Sequence, residues 1–220
     1  MSDESSDPSR LEPVAPAAIV RTDASITDRT WDGAPVPEGY TDMIDGLREL
    51  LDRVAAASPS ADLVASTTKT VAELNDRLAE CEVPEPDQLS GRLITVPGRA
   101  QLAVPALYID ELGDEHMTGR VTFGRHFLGS NGVVHGGAIP LLFDDLLGRL
   151  AIVGDRPRSR TASLHTDYRS VAPIDRTLLV AARVDRQEGR KIFLRGTLHD
   201  GDRLCAEAEG LFVVLREGQQ

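Results

Sequence analysis

The chain has 220 residues, enough for one domain or one domain with an elaboration, and 41% of them are hydrophobic, which builds a real core and excludes a disordered or collagen-like protein. Lys and Arg number 24 against 35 Asp and Glu, a formal net charge of -11, so the bulk surface repels nucleic acid and anionic lipid. No apolar run approaches the roughly 20 residues that cross a bilayer, the start MSDESSD is acidic where a signal peptide is basic, and Cys81 and Cys205 lie outside any CxxC spacing; these features predict a soluble, cytoplasmic protein without disulfide or zinc chemistry.

The negative excess lies wholly in the N-terminal part, where residues 1–90 hold 19 acids against 7 bases, while residues 91–220 hold 16 against 17. Residues 1–36 mix Pro, Ala, Ser, Asp and Thr without apolar periodicity and predict a flexible acidic tail, with Trp31 as its one docking candidate. Residues 37–95 predict a helical extension. Met43, Ile44, Leu47, Leu50, Leu51 and Val54 recur at three and four and mark an amphipathic helix ending near residues 56–59. A second helix is expected from Asp62 to Cys81, with a weaker stripe, Leu63, Val64, Val71, Leu74 and Leu78, interrupted by Ser66-Thr67-Thr68 and stopped by Pro84 and Pro86. Two helices alone make a poor core, so both are expected to pack on the remainder, residues 96–220. There the pattern changes to alternating strands at about 102–111, 117–124, 160–170, 176–187, 191–199 and 203–215, with one Leu- and Ile-rich helix at about 136–153. Strand, strand, helix and then a four-stranded meander predict an α+β fold, an antiparallel sheet of about six strands wrapped around one central helix.

The most specific string is Gly132-Val133-Val134-His135-Gly136-Gly137, directly before that helix. Alone it reads as a turn and a helix start. Combined with an acid on the helix and a sheet after it, it describes an oxyanion hole: glycine admits close approach to the backbone, and a helix N-terminus offers unpaired N–H groups. Asp145 aligns with Arg149 and predicts an i, i+4 ion pair on the solvated side. Asp144 shares a stripe with Gly137, Leu141, Gly148 and Ala151, so it is either catalytic or neutralised by an arginine of a neighbouring strand.

These residues resemble the PaaI-type hot-dog-fold acyl-CoA thioesterases, through G-x-V-H-G-G-A-I at Gly132–Ile139, the acid Asp144, Thr161-Ala162-Ser163-Leu164, and Tyr168-Arg169 with Pro173. The resemblance covers about residues 99–215 and implies a hot-dog fold. It implies that backbone N–H near His135 and Gly136 polarises a thioester carbonyl, that Asp144 is nucleophile or general base, and that Thr161 positions water. Asn131 stands near a family asparagine that helps hold the carbonyl, and Gly137 completes the substrate-facing glycines. Pro140 departs from the family pattern, and its missing N–H bears on where the helix starts.

Arg156, Arg158 and Arg160 cluster after the helix and Arg169 follows on the next strand; the arginine fork suits the phosphates of coenzyme A, so Arg158, Arg160 and Arg169 are substrate-binding candidates. His116, His126, His135, His165 and His199 show no metal-ligand spacing, Lys69 and Lys191 follow no glycine-rich loop, and no G-x-S-x-G elbow occurs. By simple alternation His165 and Asp167 share a strand face with Thr161 and Ser163. The expected activity is acyl-CoA hydrolysis with no cofactor, coenzyme A being part of the substrate. The alternative is a non-catalytic acyl-CoA-binding hot-dog module with a regulatory or assembly role. Asp144 lies roughly 10 Å along the helix from its N-terminal amides, too far for one helix to supply both base and oxyanion donor, so a homodimer or dimer of dimers with composite sites is expected.

Overall fold

The computed structural model describes residues 35–219 except Thr95, Asp155 and Glu217, so all but the last two residues of the predicted tail, Trp31 included, lie outside the described residues. In chain order the elements are α1 (Tyr40–Ala56), α2 (Ala61–Ala79), β1 (Leu107–Leu112), β2 (His116–Thr122), the short β3 (Leu128–Ser130) and β4 (Val133–Val134), α3 (Ala138–Leu150), β5 (Ser159–Tyr168), β6 (Thr177–Glu188), β7 (Lys191–Asp200) and β8 (Arg203–Val214). Six strands form one antiparallel sheet in the order β1-β2-β6-β7-β8-β5. Its inner face packs on α3, whose Leu142, Phe143, Leu146, Leu147 and Leu150 are fully buried against residues such as Phe123, Leu178, Ile192, Leu194 and Leu198. Two glycines let the helix seat closely on the sheet: a Cβ at Gly196 would stand 3.0 Å from the Phe143 ring, and one at Gly210 2.8 Å from Leu147 Cδ1.

The α+β arrangement around one helix agrees with the sequence pattern, with three corrections. The first strand begins at Leu107, not at residue 102, since Pro105 has no N–H for a ladder. The last four strands are not a simple meander. Only β6, β7 and β8 pair consecutively, while β5 pairs with β8 at the far edge and β6 pairs with β2. The third correction concerns the helical extension. The helix α1 docks, burying Ile44 and Arg48 beside Leu93 and Ala100, with Arg48 donating to the Pro97 carbonyl at 2.7 Å and the Gln101 carbonyl at 3.3 Å. By contrast α2 buries none of its residues, although Ser60 caps it by accepting from the Leu63 N–H at 3.3 Å. Its stripe, Leu63, Val64, Val71, Leu74 and Leu78, is exposed.

Candidate active site

The loop leading into α3 is built from a tight hairpin. Ser130 pairs with Val133, and between them Asn131 and Gly132 have φ of 51° and 74°, the positive pair that a two-residue type I′ turn demands. This geometry accounts for an Asn-Gly pair at the tip and leaves Asn131 exposed there. From the hairpin the chain is fixed by Val134 N–H to the Ala172 carbonyl at 2.9 Å and His135 N–H to the Phe127 carbonyl at 2.7 Å.

Each of the three residues of the His-Gly-Gly motif is then held separately. The Gly137 N–H donates to His135 Nδ1 at 3.0 Å, the Ala138 N–H to the His135 carbonyl at 2.9 Å, and the Tyr168 hydroxyl to the Gly136 carbonyl at 2.7 Å. No described residue accepts from the Gly136 N–H. A Cβ at Gly136 would meet nothing closer than the Tyr168 hydroxyl at 3.7 Å, so packing within the chain does not demand glycine there. His135, Gly136 and Gly137 are all exposed. The helix begins at Ala138, so Pro140 is its third residue. An N–H at that position would be one of the orphan donors of a helix start, and its absence therefore costs no ladder bond.

The carboxylate of Asp144, half-buried on α3, accepts from Thr161 Oγ1 at 2.8 Å through Oδ1, and no described residue bonds its other oxygen. Thr161 reaches it because of a β-bulge. Residues 161, 164, 166 and 168 of β5 oppose Phe212, Gly210, Ala208 and Ala206 on the inner face of β8, whereas 163, 165 and 167 oppose 211, 209 and 207; the register shifts between Thr161 and Ser163. The extra residue, Ala162, breaks the alternation. His165 and Asp167 consequently stand on the face opposite Thr161, and the shared face expected from simple alternation is corrected. The same shift puts Tyr168 on the Thr161 face, where its hydroxyl reaches the glycine loop although the residue stays exposed. Tyr168 is thus a residue of the site that the expected set lacks, and its presence in the matching Tyr168-Arg169 pair is the signal that points to it.

Asp145 does pair with Arg149, with Arg149 Nε to Oδ2 at 2.9 Å, but the pair is in the interior: Asp145 is 8% and Arg149 3% exposed. The expected solvated position is wrong because Arg99 arrives from the turn Pro97–Ala100 and donates to Oδ1 at 2.8 Å. The Arg149 guanidinium also donates to the Ile94 carbonyl. Burial pulls Arg149 below its ordinary pKa, and the Asp145 charge opposes that pull.

The arginine candidates separate. Arg156 caps the end of α3, donating to the Leu150 and Val153 carbonyls at 3.4 and 3.3 Å. Arg169 is bound to Glu207, with Nε to Oε1 at 2.7 Å, and to Asp167 at 3.1 Å, and the Glu207 hydrogen bond raises its pKa. Arg158 and Arg160 are exposed, and their side chains have no described partner. By strand alternation Arg160 points to the sheet face opposite Thr161. The structure thus brings together Asp144 with Thr161, and His135, Gly136 and Gly137 with Tyr168. It leaves Asn131, Arg158, Arg160 and Arg169 apart from both groups. Among the described residues no three His, Cys, Asp or Glu side chains converge as metal ligands, and no helix is long and apolar enough to cross a membrane.

Residues 131–207 match the family model of the thioesterase superfamily. The mouse (Mus musculus) acyl-coenzyme A thioesterase THEM4 is 35% identical over 94 residues, 42% of this chain and 40% of that protein. The Xenopus laevis THEM4 is 32% identical over 96 residues, 42% of each chain. The chain therefore spans about two-fifths of the length of these curated relatives. A crystallised thioesterase superfamily protein superposes with a TM-score of 0.70 at 25% identity, covering 82% of this chain and 94% of that one.

Proposed function

We propose, from the match of residues 131–207 to the thioesterase superfamily model, that this chain hydrolyses the thioester of an acyl-CoA to the free acid and coenzyme A. The observation that carries the reading is the Asp144 carboxylate, oriented by Thr161 through one oxygen and unengaged at the other. In the proposed reaction Asp144 takes a proton from water as the water oxygen attacks the thioester carbon. The oxyanion that forms accepts from the free Gly136 N–H, which the helix dipole of α3 favours. Collapse expels the coenzyme A thiolate, which takes up the proton. Thr161 orients the base, and no resident cofactor enters the scheme.

The two halves of this machinery belong to different copies in the proposed assembly. Asp144 is the seventh residue of α3, roughly 10 Å from the first turn at 1.5 Å per residue. Attack needs reacting atoms about 3–3.5 Å apart while the carbonyl oxygen meets its donor. A two-fold dimer that sets the Asp144 of one copy against the Gly136 of the other satisfies both, and gives two composite sites.

The decisive experiment is a thiol-release assay over acyl-CoAs from acetyl to palmitoyl, run with wild type and with Asp144→Asn. Turnover by wild type and its loss in Asp144→Asn is the expected result; full activity in Asp144→Asn overturns the assignment. Binding of acyl-CoA without any hydrolysis by wild type leaves the non-catalytic binding module as the reading. Co-refolding Gly136→Val with Asp144→Asn tests the composite site: random pairing restores about a quarter of wild-type activity, and no recovery in confirmed heterodimers rejects it.

A further inference from the structure

The helix α1 packs on the turn Arg125–Phe127 that precedes the glycine loop, and Asp52 makes polar contact there. Asp52, near its C-terminal end, accepts from the His126 N–H at 3.0 Å and contacts His126 Nδ1 at 2.5 Å, both through Oδ1. Its carboxylate lies over Gly124, where an added Cβ would stand 2.1 Å from Oδ2. Gly124 has extended backbone, φ -78° and ψ -174°, open to any residue, so this glycine is the seat of Asp52 and not a conformational need.

His126 is the middle of the 3-10 turn Arg125–Phe127, which runs directly into β3. The next carbonyl, that of Phe127, is the acceptor of the His135 N–H at 2.7 Å. The His135 ring in turn accepts from Gly137, which brackets the Gly136 peptide from one side while Tyr168 holds its carbonyl. A second anchor reaches the same turn from the sheet: Arg125 pairs with Asp175 at 2.9 Å, and the Asp175 N–H donates to the Phe123 carbonyl at 2.8 Å. The two anchors fix different residues. Among the described residues Asp52 alone hydrogen-bonds the peptide N–H and the ring Nδ1 of His126, the residue adjoining the acceptor carbonyl. His126 Nε2 is buried, and no described residue bonds it.

We infer that Asp52 is a positioning residue for the oxyanion-binding peptide: the N-terminal helix, through the His126–Phe127 turn and the His135 backbone, sets the direction of the Gly136 N–H. This inference rests on the thioesterase reading for its kinetic consequence, but not for its structural one. Misplacing a donor by a fraction of an ångström acts on the transition state more than on the bound ground state. The effect is therefore expected in kcat and not in KM.

The test uses full-length wild type, Asp52→Ala, Asp52→Asn and Gly124→Ala, assayed with acetyl-, octanoyl- and palmitoyl-CoA, with backbone amide exchange of His135 measured on each. Asp52→Ala and Gly124→Ala are expected to lower kcat about tenfold at nearly constant KM, and to speed His135 amide exchange about tenfold. Asp52→Asn keeps an oxygen for the His126 N–H and is expected to recover to within about threefold of wild type. Wild-type kcat and exchange in both Asp52→Ala and Gly124→Ala overturn the inference. A fall in kcat with unchanged exchange also overturns it, because the route through Phe127 and His135 is then not used. Equal loss in Asp52→Asn and Asp52→Ala, tracking a loss of melting temperature, assigns Asp52 to stability alone. If wild type is inert on all three acyl-CoAs, the hydrolase reading fails separately, and amide exchange alone decides whether Asp52 holds the loop.

Discussion

Asp144 and Asp145 are neighbours on α3, yet the side of the helix facing β5 and the side facing the Pro97–Ala100 turn treat a carboxylate in opposite ways. Asp145 is enclosed and saturated, one oxygen on Arg99 and the other on Arg149. Asp144 has one neutral donor, Thr161, and an oxygen open to whatever approaches. A buried acid with two cations is committed to holding the fold, since its charge is compensated and its lone pairs are occupied. An acid steadied by a hydroxyl, with no cation, keeps a lone pair and a charge for chemistry. The lesson is that helical phase and arriving partners, not adjacency in sequence, divide the work between two identical side chains.

Several substitutions sharpen or break this division. Asp144→Asn is expected to lower kcat about a thousandfold with the melting temperature nearly unchanged; a comparable stability loss would place Asp144 with the structural acids. Asp145→Ala leaves two guanidinium groups uncompensated, and denaturant unfolding should record a loss of about 3 kcal/mol, the lower end for a broken buried pair because Arg99 is 23% exposed. Turnover by the fraction that stays folded should survive. Thr161→Ala removes the single hydrogen bond that orients Asp144 and is expected to lower kcat about tenfold, whereas Thr161→Ser should recover most of it. Smallest of the series, Tyr168→Phe deletes the bond to the Gly136 carbonyl, and a kcat loss of about threefold, roughly the worth of one exposed hydrogen bond, is expected in the same assay.

Much of this was legible in the sequence because its signals are local. The period-two runs of β6, β7 and β8, the apolar spacing of α3 and the glycine string before it each lie within one element. The stripe that separates Asp144 from Asp145 is a property of one helix. What escaped depends on residues distant in the chain. Asp145 looked solvated because Arg99 precedes it by a long stretch of sequence and reaches it only in the folded chain. The placing of Tyr168 on the Thr161 face follows from a bulge at Ala162, and Thr161-Ala162-Ser163 carries no glycine or proline to mark one. The strand order was hidden for the same reason, since alternation fixes which face a strand buries and not which neighbour it takes. The stripe of α2 is weaker than that of α1, being interrupted by Ser66-Thr67-Thr68, and α1 also carries Arg48 and Asp52, whose partners on other segments fix it in place.

The strand order also bears on the sequence in which the molecule assembles. Within the six-stranded sheet, adjacent strands pair locally only at β1–β2, β6–β7 and β7–β8, while β2–β6 and β8–β5 must close loops that contain whole elements. Long closures cost chain entropy before any contact repays it, so nucleation belongs to the β6–β8 hairpins. The helix α3 can settle only once Gly196 and Gly210 present their bare backbone, and β5 joins last at the outer edge of β8. Asp144 on that helix and Thr161 on that edge strand are therefore expected to meet late in folding, an order that substitutions in β5 speeding unfolding while leaving the folding rate unchanged would support.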